Sequence, residues 1–255
     1  MTTKKTTRRL FCSWVAGAAL SALVCGCADN KDDTVKMITE ATFPPYEFLR
    51  GQEIVGIDVE ICRAVAQKLG KNFSCDTVDF DSVIPAVISG KAHLAAAGIT
   101  VTEDRKKNVD FSDPYVKTGI VVVYKKDNPF KDTAQLKGKK IGVQGGTTSE
   151  TFVTDELKQE PERTKSPAEA VAALKAGRVE FVIADIDPAK NCVKGEDTLA
   201  ISDFITSEEY AIAIKKGQPE LLKAINETIA EIKKDGRLAK WVADFTAESD
   251  KLKDK

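Results

Sequence analysis

The sequence predicts an α/β protein in which mainly parallel sheets are covered by helices on both faces. Apolar residues make up 42% of the 255 residues and charged residues 30%, which is an ordinary balance for a soluble globular protein. Strand-like and helix-like segments alternate along the chain, as they do when helices connect parallel strands. One helix–turn–strand unit also occurs twice, which indicates two similar halves.

The predicted elements follow from short apolar runs and from helical periodicity. The strands are expected at 35–40, 73–78, 93–97, 120–124, 140–143, 181–184 and 210–214. The helices are expected at 58–69, 82–89, 149–158, 167–176 and 219–234, with a short one around Trp241. The start at Pro167 is well defined, because Ser166 and Glu169 form a capping box around a proline at the first helical position.

The repeated unit consists of a helix, a glycine, a basic residue and a strand. Gly90 lies eight residues before Gly98, and Gly177 lies eight residues before Asp185. Ligands of open α/β sheets bind at the carboxyl ends of strands. Two such edges that face each other would form a cleft between two lobes. The alternative is a chance similarity of two α/β turns.

The beginning of the chain has the composition of an export signal. Its basic residues, with no acid among them, are Lys4, Lys5, Arg8 and Arg9. The apolar run at 10–24 is long enough for a signal peptide and short for a membrane span. Gly26 and Cys27 resemble the lipoprotein signal of bacteria, which predicts a signal peptide at 1–26, lipidation of Cys27 and a polar tether at 27–34. The alternative is plain secretion with cleavage nearby.

Charge and composition exclude several classes of function. The formal net charge is −1, and removing the four basic residues of the predicted signal leaves −5. An acidic body argues against nucleic-acid binding, which requires neutralisation of phosphates. His93 is the only histidine, which argues against most zinc sites and against a Ser-His-Asp triad. We expect no metal, no cofactor and no nucleic-acid partner.

Three cysteines remain after the lipidated position. Cys62, Cys75 and Cys192 allow at most one internal disulfide. Cys62 and Cys75 would be the pair, because they lie on an adjacent helix and strand. Three buried thiols are the alternative.

The residues that follow the predicted strand ends suit a zwitterion. Arg105 offers a planar, two-pronged donor for a carboxylate, and the glycines at 145–146 lead into a helix N-terminus that favours an anion. Asp185 can pair with an ammonium. The glycine turn matches neither the phosphate loop nor the dinucleotide fingerprint, so a nucleotide is not indicated. Each residue taken alone would also fit a helix cap or a surface ion pair.

Four motifs occur in a fixed order. They are ATFPPYEF at 41–48, GIDVE at 56–60, GITVTEDR at 98–105 and VDFSDPY at 109–115. In this order they resemble the family-3 solute-binding proteins of ABC importers. The resemblance implies an α/β, two-lobed, periplasmic-binding-protein-like fold of type II, with the ligand cleft between the lobes.

The resemblance also implies the division of the chain. Lobe 1 is expected at 35–118 and 212–248, and lobe 2 at 119–211. The hinge would lie near 115–119 and 208–211, where the chain crosses between the lobes.

The same resemblance implies which residues hold the two groups common to all amino acids. It places Arg105 on the ligand α-carboxylate, together with Thr148 and the backbone near Thr100. It places Asp185 and the Gly98 carbonyl on the α-ammonium. No catalytic residue is expected.

Other residues would surround the ligand side chain. The resemblance implies that Phe43 and Phe80 are aromatic walls and that Glu40 faces the distal end of the pocket. Gln144 and Thr148 differ from the residues that some relatives carry, which leaves the side-chain preference open. His93 also replaces a frequent acid, but it is expected to be structural.

The implied function is that of an exported, lipid-anchored receptor. It would capture an L-amino acid by lobe closure, act as a monomer and deliver the ligand to the permease of an ABC transporter. Glu40 favours arginine, then lysine, then glutamine or histidine. The alternatives are a glutamine or general polar amino-acid receptor, and a same-fold exported prephenate or arogenate dehydratase, for which Glu40 and Asp185 would be the acid candidates.

Overall fold

Two mixed β-sheets form the framework of the computed structural model, which describes residues 33–252. The predicted signal peptide at 1–26 and the predicted lipidation of Cys27 lie outside the described residues. The same is true of most of the predicted tether at 27–34. In the part of the chain that is described, none of the helices combines the length and apolarity needed to cross a bilayer.

The strands are short. They are β1 (Thr34–Thr39), β2 (Thr42–Phe43), β3 (Glu47–Arg50), β4 (Glu53–Val55), β5 (Asn72–Thr77), β6 (Leu94–Ala95), β7 (Val109–Phe111), β8 (Val116–Lys125), β9 (Ile141–Gln144), β10 (Glu162–Thr164), β11 (Phe181–Asp185), β12 (Leu199–Ile201), β13 (Thr206–Tyr210) and β14 (Ala213–Lys215). The helices are α1 (Ile57–Lys68), α2 (Val83–Ile88), α3 (Glu103–Lys106), α4 (Thr148–Thr151), α5 (Pro167–Lys175), α6 (Ile186–Val193), α7 (Pro219–Lys234) and α8 (Arg237–Leu252).

The first sheet has the order β5-β1-β6-β14-β7. Neighbouring residues of one strand point to opposite faces, so Met37 packs on the face covered by α1, α7 and α8, whereas Ile38 packs on the face covered by α2. Both faces are therefore buried. We call the part of the chain built on this sheet the first lobe.

The second sheet has the order β10-β9-β11-β8-β12, and β13 also pairs with β8. Val121 and Val123 face the core under α5 and α6, and Ile120 and Val122 face the opposite core. We call the part built on this sheet the second lobe. The small sheet β2-β3-β4 is separate from both sheets, but its buried side chains share the core of the first lobe, so we count it with that lobe.

The sheets are mixed, so the prediction of mainly parallel sheets needs correction. β1 is parallel to β5 and β6, and β9 is parallel to β10 and β11. In contrast, β14 is antiparallel to both its neighbours, and β8 is antiparallel to β11, β12 and β13. β8 and β14 are the first strands that the chain forms after it passes from one sheet to the other. A strand that is parallel to its neighbour needs a crossover connection, usually a helix, and no helix directly precedes β8 or β14 in the chain.

Several element boundaries also differ from the prediction. The single strand expected at 210–214 is the end of β13 and the start of β14, which lie in different sheets. The helix expected at 149–158 is the short α4 followed by a π-helical turn at Phe152–Glu156. The last helix, α8, is longer than expected and covers the first lobe.

The repeated unit of the sequence is confirmed as a repeated structure. Helices α2 and α5 both end in a glycine with positive φ, 78° at Gly90 and 74° at Gly177. The residue after each glycine donates its N–H to a carbonyl five positions earlier, at 2.9 Å in both cases. This is the same helix-ending turn, and each time it leads into a strand whose far end lies at the cleft.

The three cysteines of the described residues form no disulfide, and the histidine lies away from the cleft. Among residues 33–252 no disulfide is formed, and Cys62, Cys75 and Cys192 are thiols. His93 accepts a hydrogen bond at Nδ1 from the N–H of Lys36 at 3.0 Å. That contact lies at the end of the first sheet opposite the cleft, in agreement with the structural role expected for His93.

Candidate functional site

A narrow cavity lies between the two lobes, where the strand ends of both sheets meet. It is lined by Phe43, Phe80, Ala97, Gly98, Thr100, Arg105, Gln144, Thr147, Thr148 and Asp185. All the site residues predicted from the sequence line this cavity, except Glu40. Ala97 and Thr147 also line it and were not predicted.

Arg105 is positioned by the short helix α3. Thr102 caps this helix by accepting the N–H of Arg105 at 3.1 Å. The guanidinium donates from Nη1 to the Thr100 carbonyl at 2.8 Å, and from Nη2 to the carbonyl of Gly146, in the second lobe, at 3.0 Å. These contacts use two of its five N–H groups, so others remain for a carboxylate.

The surroundings of Arg105 are partly apolar. The guanidinium carbon lies 5.6 Å from the ring centre of Phe80, within the range of a cation–π contact. Burial lowers the pKa of Arg105, and the nearby carboxylates of Glu208 and Asp185 oppose this effect. A guanidinium stays protonated in such surroundings, so Arg105 is a fixed positive charge in the cleft.

The glycine turn after β9 forms the opposite wall. Gly146 has a φ of 78°, and a Cβ there would lie 3.1 Å from Asp81 of the first lobe, so a side chain would obstruct the approach of the lobes. Thr147 caps α4 by accepting the N–H of Glu150 and donates to the Gln144 carbonyl at 2.7 Å. These bonds hold Thr148 at the edge of the cavity.

Asp185 ends β11 and is buried. It accepts a hydrogen bond from the hydroxyl of Tyr210 at 2.5 Å. Burial, followed by the negative charge of Glu208, raises the pKa of Asp185 to about 7, and Tyr210 and Arg105 reduce that rise. Glu208 itself accepts a hydrogen bond from Thr100 at 2.7 Å. Asp185 is therefore an acid that a cationic ligand group would stabilise in its ionised form.

Gly98 lies in close contact with an aromatic wall. Its φ is 54°, and a Cβ at this position would lie 2.6 Å from the ring of Phe43. Its N–H donates to Asp58 Oδ2 at 3.0 Å. Only glycine therefore fits between the ring and the backbone path at this point.

Glu40 lies behind the cavity wall. It is 7% exposed, and its Oε1 accepts a hydrogen bond from Thr42 at 2.6 Å. Its Oε2 is buried and has no hydrogen-bond partner within residues 33–252. Burial raises the pKa of Glu40, whereas interaction with the cavity residue Gln144 lowers it. Gln144 thus connects Glu40 to the cavity.

Besides Ala97 and Thr147, two residues that contact the cavity wall were not predicted from the sequence. Glu208 and Tyr210 lie on β13 and contact Thr100 and Asp185. The usable signal was their position in the predicted hinge at 208–211, next to both strand ends. Over the described range, no group of three or more His, Cys, Asp or Glu side chains is arranged to hold a metal ion.

Comparisons with known proteins agree with this geometry. The model of the bacterial extracellular solute-binding proteins, family 3, matches residues 35–248. The putative ABC transporter arginine-binding protein 2 of Escherichia coli K12 is 31% identical over 238 residues, which are 89% of this chain and 93% of that protein.

Solved structures are similar over nearly the same length. The amino-acid ABC transporter substrate-binding protein AbpA of Streptococcus pneumoniae, bound to L-arginine, has a TM-score of 0.80 and 32% identity, covering 86% of this chain and 96% of that one. An ancestral arginine-binding protein bound to glutamine has a TM-score of 0.76 and 41% identity, covering 84% and 97%.

These matches are to solute-binding components of transporters and not to enzymes. The two-lobed fold with its cleft between the lobes is confirmed. Because the family model covers most of the sequence, from the first strand to the last helix, the chain belongs to the bacterial extracellular solute-binding proteins of family 3.

Proposed function

We propose that this protein is the receptor of an amino-acid ABC transporter and that its ligand is a basic L-amino acid, with arginine preferred over lysine. The observation that carries the preference is the buried carboxylate of Glu40, whose Oε2 lacks a partner among the described residues. An ionised carboxylate without a partner is unfavourable in a buried place. A cationic ligand side chain would supply that partner.

The groups common to all amino acids would bind at the two strand edges. Arg105 would hold the α-carboxylate, with Thr148 and the backbone of Thr100 beside it. Asp185 and the Gly98 carbonyl would hold the α-ammonium. The cavity wall contains all five residues, which supports this assignment.

The charges around the cavity favour a ligand with net positive charge. Glu40, Asp185 and Glu208 are acids, and among the described residues that line the cavity Arg105 is the one base. A basic amino acid would reduce this excess of negative charge, whereas aspartate or glutamate would increase it. Because Phe80 already faces Arg105, Phe43 is the ring left for stacking with a ligand guanidinium.

Glutamine is the second candidate. An ancestral arginine-binding protein 41% identical to this chain has been solved with glutamine bound, and Glu40 already accepts one hydrogen bond from Thr42. With this hydrogen bond from Thr42 in place, Glu40 would need only an N–H donor from the ligand and not a full positive charge.

We also propose that the protein is a monomer anchored by lipid at Cys27, as the sequence indicates. Mass spectrometry of the mature protein would detect acylation at Cys27, and Cys27→Ala should release the protein from membranes.

We further propose that the first lobe comprises residues 35–118 and 212–248 and that the second lobe comprises residues 119–211. The sheet topology supports this division, because β8–β13 belong to the second sheet, whereas β1–β7 and β14 do not.

A thermal-shift screen of the twenty amino acids tests the proposal. A ligand that binds the native state raises stability by RT ln(1 + [L]/Kd). Arginine should give the largest shift and lysine the next. The Arg105→Ala variant is the control and should respond to none of them. A larger shift with glutamate or a branched apolar amino acid than with arginine would contradict the assignment.

A further inference from the structure

A buried acid cluster lies beside the ligand cavity, formed by Glu47, Asp58 and Tyr115. The two carboxylic side chains are 0% exposed. Asp58 Oδ2 accepts two hydrogen bonds, one from the N–H of Gly98 at 3.0 Å and one from the hydroxyl of Tyr115 at 2.8 Å. The cluster is therefore connected directly to the backbone that lines the cavity.

No base balances the charge of this cluster. Among residues 33–252, the groups that shift the pKa of Glu47 and Asp58 include no Lys, Arg or His, although buried charges are normally paired. The groups that interact with the two carboxyls from the surrounding elements are themselves acids. They are Glu40, Tyr46, Cys62, Cys75 and Tyr115.

The hydrogen bonds distinguish the two carboxyls. Asp58 receives two donors on one oxygen, whereas neither oxygen of Glu47 accepts a hydrogen bond from an N–H or hydroxyl of the described residues. The group that Glu47 can reach as a protonated acid is the carboxylate of Asp58. Burial raises the pKa of Glu47 well above its usual value and that of Asp58 to about 6. Asp58 is thus the ionised member and Glu47 the neutral one.

Gly98 cannot move freely, because the ring of Phe43 lies on one side and Asp58 on the other. The acceptor for its N–H is a carboxylate 40 residues away in sequence, on the first turn of α1. Hydrogen bonds to a charged acceptor are about twice as strong as neutral ones. The orientation of the Ala97–Gly98 peptide unit, to which this N–H belongs, therefore depends on the charge of Asp58. That unit fixes the position of the Gly98 Cα, from which the Gly98 carbonyl of the next unit extends.

We propose that Asp58 is a positioning residue of the ligand site, which fixes the backbone at Gly98 by accepting its N–H, and that Glu47 supports Asp58 as a neutral acid. This extends the proposed function, because the Gly98 carbonyl is a proposed acceptor of the ligand ammonium. The prediction for Gly98 itself does not require that any amino acid binds.

The first test compares Asp58→Asn with the matched control Tyr115→Phe, which removes the other donor to the same oxygen. The measurements are the amide proton shift of Gly98 without ligand, by NMR, and the Kd of L-arginine, by calorimetry. Asp58→Asn should move the Gly98 amide proton upfield and weaken arginine binding about tenfold. Tyr115→Phe should leave the shift downfield and the Kd within about threefold of the parent.

An Asp58→Asn variant with an unchanged Gly98 shift would overturn the positioning role. If the shift moved and the affinity did not, Asp58 would hold Gly98 without serving the site, which also overturns the proposal. Failure of the parent to bind arginine would count against the proposed function, whereas the Gly98 shift would still decide the role of Asp58.

Glu47→Gln keeps the test decisive if Asp58→Asn does not fold. The amide can donate to Asp58 as a neutral acid does. At mildly alkaline pH, where Asp185 with its pKa of about 7 is ionised, the parent should show the infrared C=O band of a protonated carboxylic acid. This band should be lost in Glu47→Gln, while the arginine Kd stays within about threefold. Identical spectra, or a large loss of affinity, would overturn the role of Glu47.

Discussion

Tyr46 donates its phenolic hydroxyl to Oδ2 of Asp187 at 2.7 Å, although 141 residues separate them in sequence. Tyr46 belongs to the first lobe, and Asp187 lies on α6 of the second. One turn later on the same helix, Asn191 donates to the Pro44 carbonyl at 2.7 Å. α6 begins directly after Asp185, which is the residue proposed to bind the ammonium. The helix that follows Asp185 is therefore hydrogen-bonded to the first lobe.

Loss of the Tyr46 hydroxyl should weaken ligand binding although this group does not line the cavity. Tyr46→Phe removes one hydrogen bond between the lobes, so the Kd of arginine should rise about two- to tenfold. Calorimetry on Tyr46→Phe, Asp187→Asn and the double variant gives a double-mutant cycle. The double variant should lose no more than the worse single variant, and fully additive losses would contradict the coupling.

Loss of Arg105 should abolish binding of every amino acid. A buried carboxylate without its charged partner costs roughly 2–5 kcal/mol, or about 30-fold to several-thousand-fold in affinity. Arg105→Lys should also bind poorly, because an ammonium cannot make the two-pronged contact. Arg178→Ala, at an exposed arginine paired only loosely with Glu162 at 3.8 Å, is the control. An Arg105→Ala variant within threefold of the parent in calorimetry would exclude the zwitterion model.

The charge of Asp185 should make the empty protein less stable as pH rises. Its pKa is raised from 3.8 to about 7 in the folded state, so the folded chain holds this proton more tightly than the unfolded chain. Between about pH 4 and pH 7 the unfolding free energy contributed by Asp185 therefore falls as pH increases.

Asp185→Asn separates this stability effect from binding. At pH 7 and above, the ligand-free variant should melt at a higher temperature than the parent, because the cost of the buried charge is removed. Its affinity for amino acids should fall strongly, with relative retention of analogues that lack the α-amino group. Thermal unfolding across this pH range, with and without arginine, measures both. A variant that binds amino acids normally would show that Asp185 has no ammonium to hold.

Glu40 should determine the preference for basic ligands. Glu40→Gln should weaken arginine and lysine at least tenfold and leave glutamine nearly unchanged, since glutamine needs no opposite charge. Asp79→Asn is the control: Asp79 is an exposed acid that also raises the pKa of Glu40, so its removal should have little effect on arginine. Equal losses for arginine and glutamine in calorimetry would assign Glu40 to structure.

Much of the site was predictable because its residues follow elements with clear local signals. The glycines that end α2 and α5 mark the two repeated units, and the strand after each leads to Gly98 and Asp185 at the cleft. Arg105 and Gln144 were predictable for the same reason: they lie at or after the carboxyl ends of strands, where ligands of open α/β sheets bind.

The remaining residues depend on contacts that no local pattern reveals. Tyr210 was missed because an apolar run that changes from one sheet to another has the pattern of one continuous strand. Glu208 was missed because it precedes that run, on the polar part of β13. Asp58 was missed for a different reason: an acid in the first turn of a helix is ordinarily explained by the helix dipole. Its contact with Gly98 is fixed only by the packing of α1 on the first sheet.

The connection from β13 to β14 consists of only two residues, Ala211 and Ile212, both fully buried. The N–H of Ala211 donates to Ile99 and the N–H of Ile212 to Ser112, so the backbone is anchored on both sides. A link this short has few torsions whose freedom can be lost when the lobes come together, and each fixed residue would otherwise cost about 1–2 kcal/mol. Contacts made in the cleft can therefore contribute to affinity with little loss to the ordering of the chain.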